Sequence, residues 1–143
     1  MFIGEHHHTV DDKGRLFVPQ ALRSGLGEGF VVTRGLDKAL FLFPAEAWQQ
    51  LAARMRDLPL GRSDARALVR FLFSGAQQAE IDGKGRLLLS PHLRQHAAID
   101  REAVWIGVGD RVELWSAEAW AGYAVTARDD FERLAEALVD AGL

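Results

Sequence analysis

The sequence predicts an α+β fold of two tandem β-rich modules with peripheral helices. Three observations predict it: an internal repeat, glycine turns set between apolar runs, and helical spacing in the segment between the copies and at the C-terminal end. The repeat governs how every other pattern is read. Asp11-Asp12-Lys13-Gly14-Arg15-Leu16-Phe17-Val18-Pro19 returns as Asp82-Gly83-Lys84-Gly85-Arg86-Leu87-Leu88-Leu89-Ser90-Pro91, and a Leu-Arg pair follows each copy, Leu22-Arg23 and Leu93-Arg94. A second match closes each unit. Leu42-Phe43-Pro44-Ala45-Glu46-Ala47-Trp48 corresponds to Leu114-Trp115-Ser116-Ala117-Glu118-Ala119-Trp120, with the register slipped by one residue.

Within a unit the pattern reads strand, tight loop, strand, short helix, strand, hairpin, strand, helix. Lys13-Gly14 and Lys84-Gly85 supply turns, because glycine takes φ > 0 without a Cβ penalty, and the apolar run after each arginine reads as a strand. Phe30-Val31-Val32-Thr33 and Ala39-Leu40-Phe41-Leu42-Phe43 flank the turn residues Arg34 to Lys38. In the second unit Val104-Trp105-Ile106-Gly107 and Val112-Glu113-Leu114-Trp115 flank Gly109-Asp110. Pro44 suits a first helical turn and Ser116 suits an N-cap, so a helix starts at each.

The stretch from Arg54 to Ser74 has helical spacing, with Leu68, Phe71 and Leu72 on one face, and is expected to pack between the units. Its polar face carries Arg54, Arg56, Arg62, Arg66 and Arg70 against Asp57 and Asp64, a run that most often forms a solvated face and less often a second DNA contact. From Arg128 the chain is acidic, while Phe131, Leu134, Ala135 and Leu138 keep helical spacing that suits docking on its own or a neighbouring subunit. The expected division is a first module over 1–50, a helical Arg-rich linker over 51–75, a second module over 76–121 and a C-terminal acidic helix over 122–143.

Composition narrows the function. The 143 residues are 48% apolar, enough to bury a core. A formal net charge of -3 argues against coating nucleic acid through bulk positive charge, so any DNA contact must be local. Cysteine is absent, which excludes thiolate chemistry and fits the cytoplasm. Met1-Phe2-Ile3-Gly4-Glu5 lacks signal-peptide character and no apolar run is long enough for a membrane span, so no membrane partner is expected. There is no G-x-S-x-G elbow, P-loop or dinucleotide fingerprint; we expect no enzyme activity, cofactor or small-molecule substrate. No metal site is expected either. Adjacent residues of His6-His7-His8 point to opposite faces of a strand, and His92 and His96, at i, i+4, lack the glutamate of a zinc-protease pattern. Trp48, Trp105, Trp115 and Trp120 read as packing residues rather than base-stacking platforms.

The two Asp-x-Lys-Gly-Arg loops, the Met1-Phe2-x-Gly start and Leu93-Arg94-Gln95-His96-Ala97 closely resemble the MraZ family of bacterial transcriptional regulators, over nearly the whole chain. The family carries two Asp-x-x-x-Arg signatures, matched here by Asp11 to Arg15 and Asp82 to Arg86. The resemblance implies two AbrB-like swapped-hairpin modules forming a pseudo-twofold barrel. It further implies homo-oligomeric rings, association with the nucleoid, and repression at G-rich direct repeats upstream of the division and cell-wall gene cluster, including the regulator's own gene.

The loop chemistry supports double-stranded DNA as the partner. Lysine occurs only at Lys13, Lys38 and Lys84, and two of these hold equivalent places in the loops. The planar fork of Arg15 and Arg86 can bond guanine O6 and N7 together, worth roughly 1–3 kcal/mol of base discrimination. Lys13 and Lys84 suit phosphate, and Gly14 and Gly85 allow close approach to a duplex. Asp11 and Asp82 are expected to orient the loop by accepting turn hydrogen bonds. One loop neutralises few phosphates, so several loops held in one particle are needed to raise avidity, by roughly 10²–10⁴. Three other readings stand beside this one: a turn that merely braces a duplicated fold, a ring-forming interaction scaffold, and an AbrB-type antitoxin without this operator.

Overall fold

The computed structural model describes residues 1–143. In the first repeat, β1 (Glu5–Thr9) and β2 (Arg15–Phe17) bracket the first loop, followed by α1 (Gln20–Leu26), β3 (Phe30–Arg34), β4 (Leu40–Phe43) and α2 (Ala45–Arg56). Helix α3 (Ser63–Ser74) leads into the second repeat: β5 (Gln77–Ala79), β6 (Arg86–Leu88), α4 (Pro91–His96), β7 (Glu102–Gly107), β8 (Val112–Ser116) and α5 (Ala117–Asp129). A short α6 (Phe131–Ala137) and a 3-10 turn at Val139–Ala141 end the chain. Equivalent elements recur in the same order, and Ser116 caps α5 as its residue type predicts, its Oγ accepting from Ala119 N at 3.1 Å.

The architecture is α+β, and every strand pair is antiparallel. Six strands form one sheet in the order β1-β7-β8-β4-β3-β5, while β2 and β6 form a separate two-stranded ribbon. The repeats exchange strands. β1 pairs with β7 of the second repeat, β5 pairs with β3 of the first, and β2–β6 and β4–β8 join like to like, so the pairing has pseudo-twofold symmetry. The hydrogen-bonded ladder is open, with β1 and β5 as the sheet's edges, and the ribbon shares the main core with the sheet through Leu16 and Leu87.

Alternation along each strand sorts side chains between two buried faces. On the ribbon side, Phe30, Val32, Leu40, Leu42, Trp105 and Leu114 join Leu16 and Leu87 of the ribbon and Leu22 and Leu93 of α1 and α4 in one core cluster of 20 buried residues. On the other side, Val104, Ile106 and Trp115 pack with Trp120 of α5, while Thr33 Oγ1 donates to the Leu72 carbonyl of α3 at 2.7 Å. The fold therefore has three layers: ribbon with α1 and α4, sheet, then α2, α3 and α5.

Two expectations change. The Arg54–Ser74 stretch is not one helix between the units; Asp57 to Arg62, containing Pro59 and Gly61, breaks it, and α2 and α3 lie against β3 and β4 on the sheet face opposite the ribbon. Proline and glycine end helices for steric and entropic reasons that outweigh apolar spacing. The C-terminal helix likewise divides at Asp130, and Phe131, Leu134, Leu138 and Val139 remain exposed. The tryptophans are packing residues: Trp105 is fully buried, and Trp48 meets Phe73 edge-on at 5.3 Å. No helix is long and apolar enough to cross a membrane.

Candidate nucleic-acid interface

Each loop is a turn closed on its own aspartate. Asp11 Oδ1 accepts from the backbone N–H groups of Lys13 and Arg15, both at 2.9 Å, and Arg15 Nε donates to Oδ2 at 2.9 Å. Asp82 repeats the pattern. Its Oδ1 accepts from Lys84 N and Arg86 N at 2.9 Å, and its Oδ2 accepts from Arg86 Nε at 3.0 Å. Backbone bonds from Asp11 N to Arg15 O (2.8 Å) and from Gly14 N to Asp11 O (3.0 Å) close the turn, with counterparts in the second copy. Foremost the Arg15 N–H, against the opposing effect of desolvation and helped by the Lys13 N–H and the Arg15 guanidinium, holds the Asp11 carboxyl below the usual aspartate range. The same groups of Lys84 and Arg86 act on Asp82, again with the Arg86 N–H foremost.

This geometry leaves a free donor fork. The aspartate takes only Nε of each arginine, and the terminal Nη groups have no hydrogen-bond partner within the chain. Both arginines are partly covered, at 30% and 19% side-chain exposure. Lys13 and Lys84 are exposed at the turn tips.

Gly14 and Gly85 sit at φ +83° and +80°, the left-handed region that favours glycine. Both are buried, and each is stitched to the other repeat: Gly14 O accepts from Leu89 N and Gly85 O from Val18 N, both at 2.9 Å. Glycine is thus required here by the neighbouring loop, independently of any duplex. A Cβ at Gly14 would meet Leu89 O at 3.2 Å and Arg94 Nη1 at 3.4 Å; a Cβ at Gly85 would run into the Arg23 guanidinium.

Arg23 and Arg94 are the site residues that sequence reasoning missed. Each leaves its own helix and lies beside the glycine of the other repeat's loop. Arg23 Nε donates to Val18 O at 2.7 Å, and Arg94 donates through Nη2 to Asp100 O at 3.0 Å. Their signal was present as the Leu-Arg pair that follows each loop at constant spacing, but only the strand exchange brings each arginine across.

The ribbon sets the loops relative to one another. Arg15 lies opposite Leu88 and Phe17 opposite Arg86, so the two arginines are two positions apart, about 7 Å along the ribbon. Trp105 Nε1 donates to Phe17 O at 3.0 Å and Gln77 Nε2 to Leu88 O at 3.1 Å, fixing the ribbon from the side. The two loops thus bring Lys13, Arg15, Lys84 and Arg86 together with Arg23 and Arg94, against Asp11, Asp12, Asp82 and Asp100, on a chain of net charge -3. The Arg-rich α2–α3 pair lies a sheet's thickness away, with Arg62 held by Asp64 at 2.7 Å. His92 and His96 do not form a pair: Nε2 of His92 bonds with Gly75 O and Nε2 of His96 with Gly35 O, both at 3.2 Å.

The family model "MraZ protein, putative antitoxin-like" matches the chain twice, over residues 1–71 and 72–141. The transcriptional regulator MraZ of Heliobacterium modesticaldum is 51% identical over 140 residues, covering 98% of each protein. That of Moorella thermoacetica is 50% identical over 140 residues, again covering 98% of each. That of Pelotomaculum thermopropionicum is 48% identical over 143 residues, covering 100% of this chain and 99% of that protein. Two matches to one model, one per structural repeat, and relatives of about half identity from end to end establish that the chain belongs to the MraZ family.

Proposed function

We propose that this chain is a sequence-specific DNA-binding transcriptional repressor, acting in the cytoplasm on the nucleoid. Its operator is a set of G-rich direct repeats upstream of the division and cell-wall gene cluster that includes its own gene. The observation that carries the reading is the pair of Asp-anchored turns at the ribbon, each leaving an arginine fork unpaired beside an exposed lysine. Relatives of about half identity that bear the name transcriptional regulator support it.

In this reading Arg15 and Arg86 read guanine edges, while Lys13 and Lys84 hold phosphates. Asp11 and Asp82 fix the turns, and Gly14 and Gly85 supply the left-handed backbone that the turns need. The strand exchange between repeats supports two swapped-hairpin modules of the AbrB type. The uncovered apolar residues of α3 and the tail, among them Phe71, Phe131 and Leu138, support assembly into a ring. Adjacent repeats about 10 bp apart would then meet successive subunits on one groove face.

Selection of bound duplexes from random DNA, followed by gel shifts across a protein dilution series, tests the proposal. Enrichment of regularly spaced G-rich repeats, with affinity falling as the particle dissociates, is the expected result. No enrichment, or equally tight binding by monomer, overturns it.

A further inference from the structure

The ribbon face that carries the arginines also carries two exposed apolar side chains. Strand alternation places Arg15 and Phe17 of β2, and Arg86 and Leu88 of β6, on the outward face, while Leu16 and Leu87 point into the core at 1% exposure. Phe17 is 48% exposed and Leu88 55% exposed. Single exposed apolar residues need no explanation, but these two hold equivalent positions in the repeats. Each sits directly across the ribbon from an arginine of the other repeat: Phe17 from Arg86, and Leu88 from Arg15. Their backbone is held in place, since Trp105 and Gln77 bond the carbonyls of these same two residues. A fixed apolar pair interleaved with free guanidinium forks and bordered by Lys13 and Lys84 fits one surface chemistry, an anionic partner with apolar points beside hydrogen-bond acceptors.

The major groove of DNA has that chemistry. At roughly 12 Å it is wide enough for a two-stranded ribbon, guanine presents acceptors to arginine there, and the thymine C5-methyl is the apolar point. We propose that the β2–β6 ribbon enters the major groove face-on and that Phe17 and Leu88 pack on thymine methyl groups neighbouring the guanines read by Arg86 and Arg15. Specificity then extends beyond guanine to thymine, and the two repeats are unequal readers, an aromatic ring in one and a branched aliphatic in the other. This inference rests on the DNA-binding reading above.

The test uses the full-length protein and a duplex recovered by selection with the unaltered chain. Each thymine in the recovered repeat is replaced singly by deoxyuridine, which removes the methyl and leaves pairing intact, and Kd is measured by fluorescence anisotropy at several salt concentrations. For the unaltered protein, deoxyuridine at one or more thymines weakens binding about fourfold, the value of one CH2-sized group returned to water. Phe17→Ala or Leu88→Ala erases that penalty at its own thymine, while the slope of log Kd against log salt is unchanged because no phosphate contact is lost. Indifference of the unaltered protein to deoxyuridine at every thymine, a recovered repeat with no thymine, or alanine variants that keep the full penalty each overturn the inference while leaving the DNA-binding reading intact. Failure to recover any duplex overturns both. The deoxyuridine result requires no variant, so a variant that misfolds does not shelter the proposal.

Discussion

Gly14→Ala and Gly85→Ala occupy equivalent positions with nearly equal φ, yet their costs should differ. An alanine at φ near +80° carries a backbone penalty of about 1–2 kcal/mol in either loop. At Gly14 the added methyl finds tight but tolerable neighbours, Leu89 O at 3.2 Å and Arg94 Nη1 at 3.4 Å. At Gly85 it collides with the Arg23 guanidinium, which must leave and give up its bond to Val18 O. A hydrogen bond from a charged group contributes about 1.5–3 kcal/mol, so the Gly85 variant should lose about 2.5–5 kcal/mol in all. Urea unfolding at one fixed protein concentration measures both. With a slope of about 2 kcal/mol/M, the midpoint falls by roughly 0.5–1 M for Gly14→Ala and roughly 1–2.5 M for Gly85→Ala. Adding Arg23→Ala to Gly85→Ala removes the collision, so the double variant should lose less than the sum of the two single losses. Equal midpoints for the two glycine variants, or full additivity in the pair with Arg23, would refute the reasoning that Arg23 braces the second loop.

Three further outcomes follow from the same geometry. Arg15→Lys keeps the charge but lacks the planar fork, so it should retain non-specific, salt-sensitive binding in gel shifts while losing most sequence preference, about 1–3 kcal/mol at the affected base. Asp11 and Asp82 have folded pKa values below the ordinary 3.8. Their contribution is complete above that value and disappears as pH falls through the lower folded values, so Asp11→Asn with Asp82→Asn should flatten this acid limb of a stability–pH profile. Trp105→Phe leaves the Phe17 carbonyl without its partner inside the protein and should cost about 1–3 kcal/mol in urea unfolding, without altering the Asp-anchored turns seen by amide NMR.

Local chemistry made much of this molecule legible from its sequence. The loops were readable because Asp, Gly and Arg act within five residues of one another, and the two hairpins because apolar runs flank turn residues. Strands β3, β4, β7 and β8 lie where those runs predict. Pairing across roughly 45 to 100 residues carries no local signal, so the exchange of β1 and β5 between repeats was legible only through the family resemblance, and the crossing of Arg23 and Arg94 was out of reach. The break between α2 and α3 was marked by Leu58-Pro59-Leu60-Gly61, which the spacing of Leu68, Phe71 and Leu72 obscured. The outward aspect of Phe17 and Leu88 was hidden for another reason: in a three-residue strand, an apolar run gives alternation too little length to declare a face.

The strand exchange also bears on how the chain is made. Translation delivers residues at about 5–20 per second from the N-terminus, and β1 must wait for β7 while β2 must wait for β6. For several seconds the nascent first half therefore carries strands whose partners have not yet been synthesised. Neighbouring ribosomes on one message hold identical halves in the same condition. A strand from one copy can then find its mate in the next, so the topology that completes a single subunit equally permits two chains to be born entwined.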